Sequence, residues 1–474
     1  MFRPSLLFAS ALFGSPLPVS PLLTYLDLGL SRAAHFTQHR SEPVLPTDSF
    51  AGHSTSARPT PSHRDSRRAA VSALDDLAVK AGDDDVVGGV QARLVAAPAS
   101  TAEASALIAA TPGLNVVIRG GGTKLQQGPP PRELDLIIDT RRLAGVVEHA
   151  AGDLITVVRA GTPMAELHRL PGQQLALDAP TGATAGGTVA ANGSGPRRLR
   201  YGTARDLLIG VTVVRPDGRV AKAGGKVVKN VAGYDLGKLY TGSLGTLGLI
   251  TECVFRLHPV PVATSFVRAL APPEATARIL AGQFAPSAVE INAEPGAEPE
   301  IAVLLEGTPT GVHDRATALA ALLDGEITTT APPWWNSPPW PSGGLALKLT
   351  ATLSRVPALV TAALEAGLTV RGSAGTGVLY AGGPIPARPA LPGTALPPGT
   401  ARPFNGPAPV GIVEALRAAA TAAGGHAVVV AVPEGMADGI DMWGPVPGIE
   451  LMRRVKEQFD PDHRFAPGRF VGGI

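Results

Sequence analysis

Cysteine is almost absent from this chain of 474 residues, in which Cys253 stands alone. A single thiol cannot form an internal disulfide, so the sequence does not require an oxidising compartment. An iron–sulfur cluster, which needs about four thiolates, is also excluded within this chain. Any electron carrier of that kind would have to belong to another chain.

Charged and aromatic side chains are also scarce, at 17% and 4% of the residues, and the formal net charge is only +2. Neither a basic footprint for nucleic acid nor a set of base-stacking rings is therefore expected. Hydrophobic residues make up 45% of the chain, which predicts a large buried core and excludes a disordered chain. The 56 glycines suit a backbone that a ligand approaches closely.

Long hydrophobic runs are missing as well, since none reaches the roughly 18–20 residues that span a bilayer. Near the start, Arg3 and the apolar residues 6–13 resemble the core of a short signal peptide, but several prolines follow. We interpret residues 1–70 as a disordered leader or as the product of a start codon set too far upstream. Export is the less favoured alternative.

From residue 71 onward, short apolar runs alternate with turns, as in Val116–Ile118 and Leu136–Asp139. The pair Asp217-Gly218 between two such runs predicts a hairpin. After Pro259 the sequence pattern changes, and it predicts alternating strands and helices rich in Ala, Leu and Val. We predict a first domain at 71–261, an α+β domain at 262–433 and a returning C-terminal segment at 434–474. Two Pro-rich inserts, at 331–343 and 383–409, are predicted to be surface loops or partner contacts.

Four glycine-rich motifs carry the chemistry, at residues 119–124, 182–195, 224–236 and 242–252. Consecutive glycines in the first let backbone N–H groups converge on phosphate oxygens, although a plain hairpin turn explains it equally well. It is no Walker loop, because no Gly-Lys-Ser/Thr ends it, and the fourth motif has the wrong spacing for a dinucleotide fingerprint. Together, and in this order, the motifs are hard to explain as loops.

In this order the motifs resemble the PCMH-type FAD-binding domain of the vanillyl-alcohol oxidase/p-cresol methylhydroxylase superfamily. Within it the chain is most similar to the FAD-binding subunits (E subunits) of glycolate oxidase, which residues 197–207 and 451–470 also fit. The resemblance runs from residue 71 to the end. It implies an α+β fold, in which a two-subdomain FAD-binding domain is followed by a ferredoxin-like α+β cap.

The resemblance also implies which residues bind the cofactor. The pyrophosphate would rest on residues 120–123, and residues 245–250 would pass beside the ring system and the adenosine. Several relatives attach FAD through a His in the first turn, where this chain has Thr123, so non-covalent FAD is expected. The complete implied set is Arg119, Gly120, Gly121, Gly122, Thr123, Lys124, Gly182, Gly186, Gly187, Thr188, Asn192, Gly202, Arg205, Lys229, Asn230, Gly233, Tyr234, Gly245, Thr246, Gly248 and Ile250.

Catalytic residues are not identified by the sequence. Relatives that oxidise 2-hydroxy acids carry a cap motif resembling His-x-Gly-Asp-Gly-Asn, and after Pro259 this chain has only His313, His426 and His463, none in that context. No metal site is predicted, because these histidines lack metal-ligand spacing. Arg205 and Lys229 either stabilise negative charge near the flavin or are ion-paired scaffold residues. Tyr234-Asp235 is either an acid–base pair or a structural hydrogen bond.

Two functions follow from the resemblance. The first is the FAD-binding subunit of a glycolate oxidase complex with a catalytic FAD subunit and an iron–sulfur subunit, cytoplasmic or held at the inner face of the membrane. Its own flavin would be a relay or structural. The alternative is a stand-alone FAD oxidoreductase of a small 2-hydroxy acid or polyol, and a third, weaker reading is a scaffold without flavin. The missing cap histidines favour the first, and the intact glycine motifs disfavour the third.

Overall fold

The computed structural model describes residues 77–226, 233–384, 409–433 and 439–474. The predicted leader, most of the second Pro-rich insert, Lys229 and Asn230 lie outside these residues. The described chain forms a first lobe up to residue 262, a second lobe from residue 263 to residue 433, and a C-terminal segment from residue 439.

The first lobe is built mainly from short strands. They are β1 (Val79–Lys80), β2 (Val86–Val87), β3 (Val90–Gln91), β4 (Leu94–Ala96), β5 (Val116–Arg119), β6 (Leu136–Asp139), β7 (Val146–Ala150), β8 (Ile155–Arg159), β9 (Gln173–Gln174), β10 (Leu208–Val214), β11 (Val220–Gly224), β12 (Leu249–Arg256) and β13 (His258–Pro259). The helices are α1 (Thr101–Ala110), α2 (Met164–Leu167), α3 (Ala185–Ala190), α4 (Arg198–Tyr201), α5 (Ala204–Leu207) and α6 (Gly237–Tyr240).

Two main sheets organise these strands. In the smaller one the order is β1-β4-β6-β5, and β6 runs parallel to both β4 and β5. β4 and β5 run in the same direction on either side of β6, so the chain between them must cross over the sheet. Helix α1 lies in this crossover connection. The larger sheet is antiparallel, in the order β11-β10-β12-β8-β7. Its β10–β11 hairpin confirms the predicted Asp217-Gly218 turn, in which Gly218 has a φ of +81°.

The second lobe alternates longer strands with helices. The strands are β14 (Ala263–Leu270), β15 (Ala288–Ala293), β16 (Glu300–Gly307), β17 (Glu326–Thr328), β18 (Leu345–Thr350), β19 (Thr369–Ser373), β20 (Val378–Gly383) and β21 (Ala427–Ala431). The helices are α7 (Ala275–Ala281), α8 (Pro309–Leu323), α9 (Val356–Glu365) and α10 (Pro409–Ala422).

Two successive β-α-β-β-α-β units make up this lobe, the first from β14 to β17 and the second from β18 to β21. They share one eight-stranded antiparallel sheet in the order β17-β14-β16-β15-β19-β20-β18-β21. Each unit has the ferredoxin-like strand order, and the units meet where β15 pairs with β19. The ferredoxin-like arrangement that the resemblance implied for the cap is thus present twice.

Apolar and polar side chains alternate along the strands of this sheet, so its two faces differ. In β15, Val289 and Ile291 are 0% exposed and belong to the core beneath the helices, while Glu290 points to the opposite face. In β18, Leu347 and Lys348 alternate in the same way. The helices cover the apolar face, and the polar face is turned towards the first lobe.

The C-terminal segment is attached to the first lobe through a buried ion pair. Helix α11 (Ile449–Phe459) carries Lys456, which is 1% exposed and lies 2.6 Å from the carboxylate of Asp460. The same ammonium group donates to the carbonyl oxygens of Thr246 at 2.8 Å and Phe465 at 2.9 Å. Because Thr246 belongs to the fourth glycine motif, this lysine connects the end of the chain to that motif.

Neither a reactive thiol nor a membrane-crossing helix is found in the described chain. Cys253 lies in β12 and is completely buried, and burial raises the pKa of its thiol. Cys253 therefore acts as a small buried packing residue. None of the described helices combines the length and the apolar character needed to cross a bilayer.

We expect Lys456→Met to lower the free energy of unfolding by about 3–5 kcal/mol, because Asp460 would remain buried without its partner. Equilibrium unfolding in urea measures this change. The control is Arg453→Ala, which removes an ion pair to Glu450 whose two side chains are 48% and 78% exposed, and it should change stability by less than about 1 kcal/mol. Equal effects of the two substitutions would contradict this role of Lys456.

Candidate functional site

A cavity of about 380 Å³, a volume typical of small-molecule sites, lies between the two lobes. Three of the four glycine motifs form one wall, and the polar face of the second-lobe sheet forms the other. The residues of the predicted cofactor set that line it are Gly120, Gly121, Gly122, Thr123, Lys124, Gly186, Gly187, Thr188, Asn192, Gly245, Gly248 and Ile250.

The first glycine turn and the second glycine motif pack backbone against backbone. A Cβ atom at Gly121 would lie 1.7 Å from the carbonyl oxygen of Gly182, and one at Gly120 would lie 2.3 Å from Oγ1 of Thr184. Gly122 has a φ of +77°, in the left-handed region that favours glycine. Close packing therefore requires the first two glycines, and backbone conformation favours the third.

The second motif offers unpaired polar atoms to the cavity. Helix α3 begins after its capping residue Thr184, and Gly186 packs so tightly that its Cβ would lie 2.6 Å from that of Ala160. Oγ1 of Thr188 and Oδ1 of Asn192 are buried without a hydrogen-bond partner among the described residues. Buried polar atoms rarely stay unpaired, so these two are suited to a bound ligand.

The fourth motif closes the same wall of the cavity. Gly245 has a φ of +77°, and a Cβ there would lie 3.3 Å from Cδ1 of Ile118. Gly248 has a φ of +151°, so the loop between these two glycines bends in a way that other residues rarely adopt. The hydroxyl of Thr246 is buried and donates to the carbonyl oxygen of Ser243 at 2.7 Å. Thr246 therefore shapes the loop from behind the cavity wall.

Two cations stand beside the first turn. Lys124 lies at the exposed rim, where the surrounding protein still lowers the pKa of its ammonium group by desolvation. Arg469, from the C-terminal segment, is 4% exposed and donates from Nη2 to the backbone oxygens of Leu125 at 2.7 Å and Gln127 at 2.8 Å. Its Nη1 is buried without a partner among the described residues, and burial lowers its pKa to about 10. An anionic ligand would satisfy both cations.

Other residues of the predicted set lie behind the cavity. Arg119 is held by ion pairs to Asp85 at 2.7 Å and to Asp139 at 3.0 Å. Gly182 lies behind the first turn through the carbonyl oxygen that faces Gly121. Gly202 follows α4 with a φ of +85°. These three residues support the walls of the cavity without lining it.

The third glycine motif is described only in part. Arg205, which precedes it, does not line the cavity. Gly233 has a φ of +99°, and Tyr234 is 62% exposed. Lys229 and Asn230 lie outside the described residues, so their predicted roles stay predictions.

The second lobe contributes side chains that sequence reasoning did not single out. Glu290 of β15, Lys348 of β18, Ser373 of β19 and Tyr380 of β20 line the cavity, and Arg198 of α4 joins them from the first lobe. The four strand residues are on the polar face of the sheet. The alternation of polar and apolar residues along each strand is the signal that predicts this placement.

Burial disfavours the charged form of every ionisable group in this cluster. It raises the pKa of Glu290 well above the ordinary carboxyl value, and it raises the pKa of Tyr380. It lowers the pKa of Lys348 to about 8, and the nearby charges of Arg198 and Lys124 act in the same direction. The pKa of Arg198 is also lowered, mainly by burial.

The first Pro-rich insert, predicted to be a surface loop or partner contact, instead lies along the cavity. Nε1 of Trp334 donates to a carboxylate oxygen of Glu300 at 2.6 Å, and the ring centroid of Trp340 lies 5.9 Å from that of Tyr380. Both tryptophans contribute to the cavity wall, together with Asn336, Ser337 and Pro338. Proline-rich composition predicts irregular backbone but does not show where that backbone packs, which explains the difference.

Histidine does not occur among the described residues that line the cavity. His426 lies outside the cavity wall, and its backbone N–H donates to Oγ1 of Thr350 at 2.8 Å. In the described part of the chain, no group of three or more His, Cys, Asp or Glu residues is arranged to hold a metal ion.

The FAD binding domain family matches residues 92–224. Glycolate oxidase subunit GlcE of Escherichia coli is 36% identical over 178 residues, which cover 36% of this chain and 50% of the relative. Glycolate oxidase subunit GlcD of Bacillus subtilis is 32% identical over 213 residues, covering 42% and 45%. D-lactate dehydrogenase of Archaeoglobus fulgidus is 35% identical over 179 residues, covering 35% and 39%. The matches thus span half or less of each relative.

Solved structures extend the likeness to most of the chain. p-Cresol methylhydroxylase with bound substrate has a TM-score of 0.62 at 14% identity, over 86% of this chain and 96% of that one. Chitooligosaccharide oxidase has a TM-score of 0.58 at 15% identity, over 85% and 98%. At such identities the likeness concerns the fold alone. It confirms the predicted α+β fold class.

The residues of the cavity fit FAD. Three consecutive glycines present bare backbone to a pyrophosphate, and Lys124 and Arg469 bring positive charge to the same end. Thr188, Asn192 and Arg469 each have a buried polar atom without a hydrogen-bond partner among the described residues. The donors and acceptors of a flavin nucleotide could pair with these atoms.

We expect Gly121→Ala to weaken FAD binding by about tenfold or more, because overpacking costs typically about 1–3 kcal/mol and would push the two motifs apart. Titration of flavin-free protein with FAD, followed by flavin fluorescence, measures the dissociation constant. The matched control is Gly152→Ala, since a Cβ at Gly152 would meet nothing within 4 Å. If both variants bind FAD as tightly as the parent protein, the first glycine turn does not form the FAD-binding site.

Proposed function

We propose that the chain, whose residues 92–224 match the FAD binding domain family, is an FAD-dependent oxidoreductase of the glycolate oxidase type, acting on small 2-hydroxy acids. The observation that carries this proposal is the single cavity in which the glycine motifs face ionisable side chains of the second lobe. Bound FAD supplies a hydride acceptor for the oxidation of a carbinol carbon. The opposite wall has the cations that a small acid requires.

The substrate class is supported by the relatives. Two are named glycolate oxidase subunits, and another is named a D-lactate dehydrogenase. Glycolate and D-lactate are both small 2-hydroxy acids. Lys348 and Arg198, which line the cavity, offer the positive charge that a carboxylate of this class would bind.

FAD would be held without a covalent bond. The pyrophosphate would lie on residues 120–123 beside Lys124 and Arg469, and the flavin would lie along α3 with Thr188 and Asn192. Neither histidine nor cysteine occurs among the described residues that line the cavity, and the first glycine turn carries Thr123.

Electrons would leave this chain through a partner. One cysteine in the entire sequence cannot ligate an iron–sulfur cluster. We therefore assign that role to an iron–sulfur subunit of a complex that also holds a catalytic FAD subunit, in keeping with relatives named as subunits. In such a complex, glycolate would be oxidised to glyoxylate.

A stand-alone oxidoreductase of a small 2-hydroxy acid or polyol is the second candidate. Glu290, Lys348 and Tyr380 favour it, because a chain that only relays electrons has no need of ionisable side chains on the cap wall of its flavin cavity.

We expect the purified full-length chain to show the two-banded absorbance of an oxidised flavin, and acid precipitation to release all of that flavin into the supernatant. Release follows because unfolding removes the only contacts that hold a non-covalent cofactor. A yellow precipitate would show covalent attachment. A preparation that stays colourless after incubation with FAD would overturn the flavoprotein assignment.

We also expect glycolate or D-lactate to be oxidised in a dye-linked assay when the chain is purified together with the products of neighbouring genes. Turnover that occurs only when the chain is purified with the neighbouring gene products supports the role of a subunit. Turnover by the isolated chain supports the stand-alone enzyme. The polyol xylitol is the control substrate, because it lacks a carboxylate for Lys348 and Arg198. Preference for xylitol over both acids in every preparation would contradict the proposed substrate class.

A further inference from the structure

The polar face of the cap sheet brings Lys348 and Tyr380 together on the wall of the cavity. They are directly opposite each other on β18 and β20, and residues paired in this way project from the same face with Cβ atoms roughly 5 Å apart. Lys348 is half-buried and has no hydrogen-bond or ion-pair partner among the described residues. The charges that act most strongly on it, those of Arg198 and Lys124, are both positive.

Arg198 completes this group from the first lobe. Its Nη1 donates to Oγ of Ser194 at 3.0 Å, which leaves the other guanidinium donors free of hydrogen bonds within the described residues. Arg371, another cation of the sheet that lines the cavity, is already engaged by Asn292 at 2.6 Å and by Glu294 at 3.6 Å. Lys124 and Arg469 stand beside the first glycine turn, so Lys348, Tyr380 and Arg198 are the donors that we consider for an anion at the cap sheet.

Glu290 provides a separate indication of a ligand. It is 5% exposed, and its Oε1 is buried without a hydrogen-bond partner among the described residues. Burial raises the pKa of the Glu290 carboxyl, and the buried hydroxyl of its cross-strand neighbour Ser373 acts on it in the opposite direction as a hydrogen-bond donor. Both line the cavity. A buried carboxyl with an unpaired Oε1, on the wall that carries unpaired cations, indicates a polar ligand with more than one functional group.

We propose that the cap of this chain holds a binding site for a small carboxylic acid, in which Lys348, Tyr380 and Arg198 bind one carboxylate and Glu290 binds a second polar group of the same ligand. The inference rests on the proposed function only in taking this acid to be the substrate. It departs from the sequence-based interpretation in which the missing cap histidines favour oxidation of the acid by another, catalytic subunit.

The charges that face Lys348 determine how binding depends on pH. The positive charges of Arg198 and Lys124 lower the pKa of Lys348 further, while burial raises the pKa of both Tyr380 and Glu290. The pKa of Lys348, lowered to about 8, means that its positive charge is present below that value and is lost as pH rises through it. Affinity for an anionic acid should therefore fall above about pH 8. Lys348→Arg, which keeps its charge, should show a smaller fall.

Oxalate and acetate are the probes, because neither carries a carbinol hydrogen that could be oxidised. Calorimetric titration of the FAD-loaded full-length chain gives their dissociation constants. We expect Lys348→Met to weaken oxalate by about tenfold to a hundredfold, the usual worth of a charge-assisted hydrogen bond, and Lys348→Arg to restore part of it. Lys222→Met, at an exposed lysine of β11, is the control and should bind oxalate like the parent protein.

Glu290 has its own test, in the preference for oxalate over acetate. Glu290→Gln keeps a hydrogen-bond donor and should keep the preference, whereas Glu290→Leu should lose it. The melting temperature separates these effects from misfolding. Removal of an unpaired, half-buried cation should raise the melting temperature of acid-free Lys348→Met, even though this variant binds oxalate poorly.

Unchanged oxalate affinity in Lys348→Met would overturn the proposal. Failure of the proposed function looks different. Oxalate binding that depends on Lys348, in a chain that oxidises no hydroxy acid, would retain the acid site and remove only the assigned reaction.

Discussion

The contact between Gly121 and the carbonyl oxygen of Gly182 is the constraint on which the site depends. A Cβ atom at Gly121 would lie only 1.7 Å from that oxygen, so the first turn and the second motif approach each other only as bare backbone. Their approach places the consecutive glycines of the turn beside α3, whose Thr188 has a buried hydroxyl without a hydrogen-bond partner among the described residues. The C-terminal segment then brings in Arg469 and, through Lys456, fastens the fourth motif. Most of the cavity wall from the first lobe thus follows from glycines that tolerate no side chain.

Much of this wall could be predicted from the sequence, because glycine motifs are local. The order of residues 119–124, 182–195 and 242–252 was sufficient to predict that they meet, and all three line the cavity. Arg119 and Thr246 were less predictable. Each belongs to a motif, yet Arg119 forms ion pairs with two aspartates and the hydroxyl of Thr246 donates a hydrogen bond within its own loop. A motif shows which backbone approaches a ligand, but side-chain direction depends on residues that are distant in the sequence.

The second wall could not be found in the same way. Glu290, Lys348 and Tyr380 come from three strands of a sheet, and only the pairing of those strands brings them together. Periodicity does predict that they share a face, but it does not show that this face meets the first lobe. The insert with Trp334 and Trp340 is harder still, since neither its composition nor its length indicates that it packs along the cavity. The search of the cap sequence for catalytic residues looked for histidines, and the ionisable groups on this wall are of other types.

We propose that one cavity holds FAD on glycine backbone and a small acid on the cap sheet. A crystal structure of the full-length chain grown with FAD and oxalate tests this most directly. We predict that the pyrophosphate lies against residues 120–123 beside Arg469, and that an oxalate carboxylate lies within hydrogen-bond distance of Lys348. Electron density that places FAD away from the glycine turn, or oxalate away from Lys348 in a flavin-loaded cavity, would contradict it.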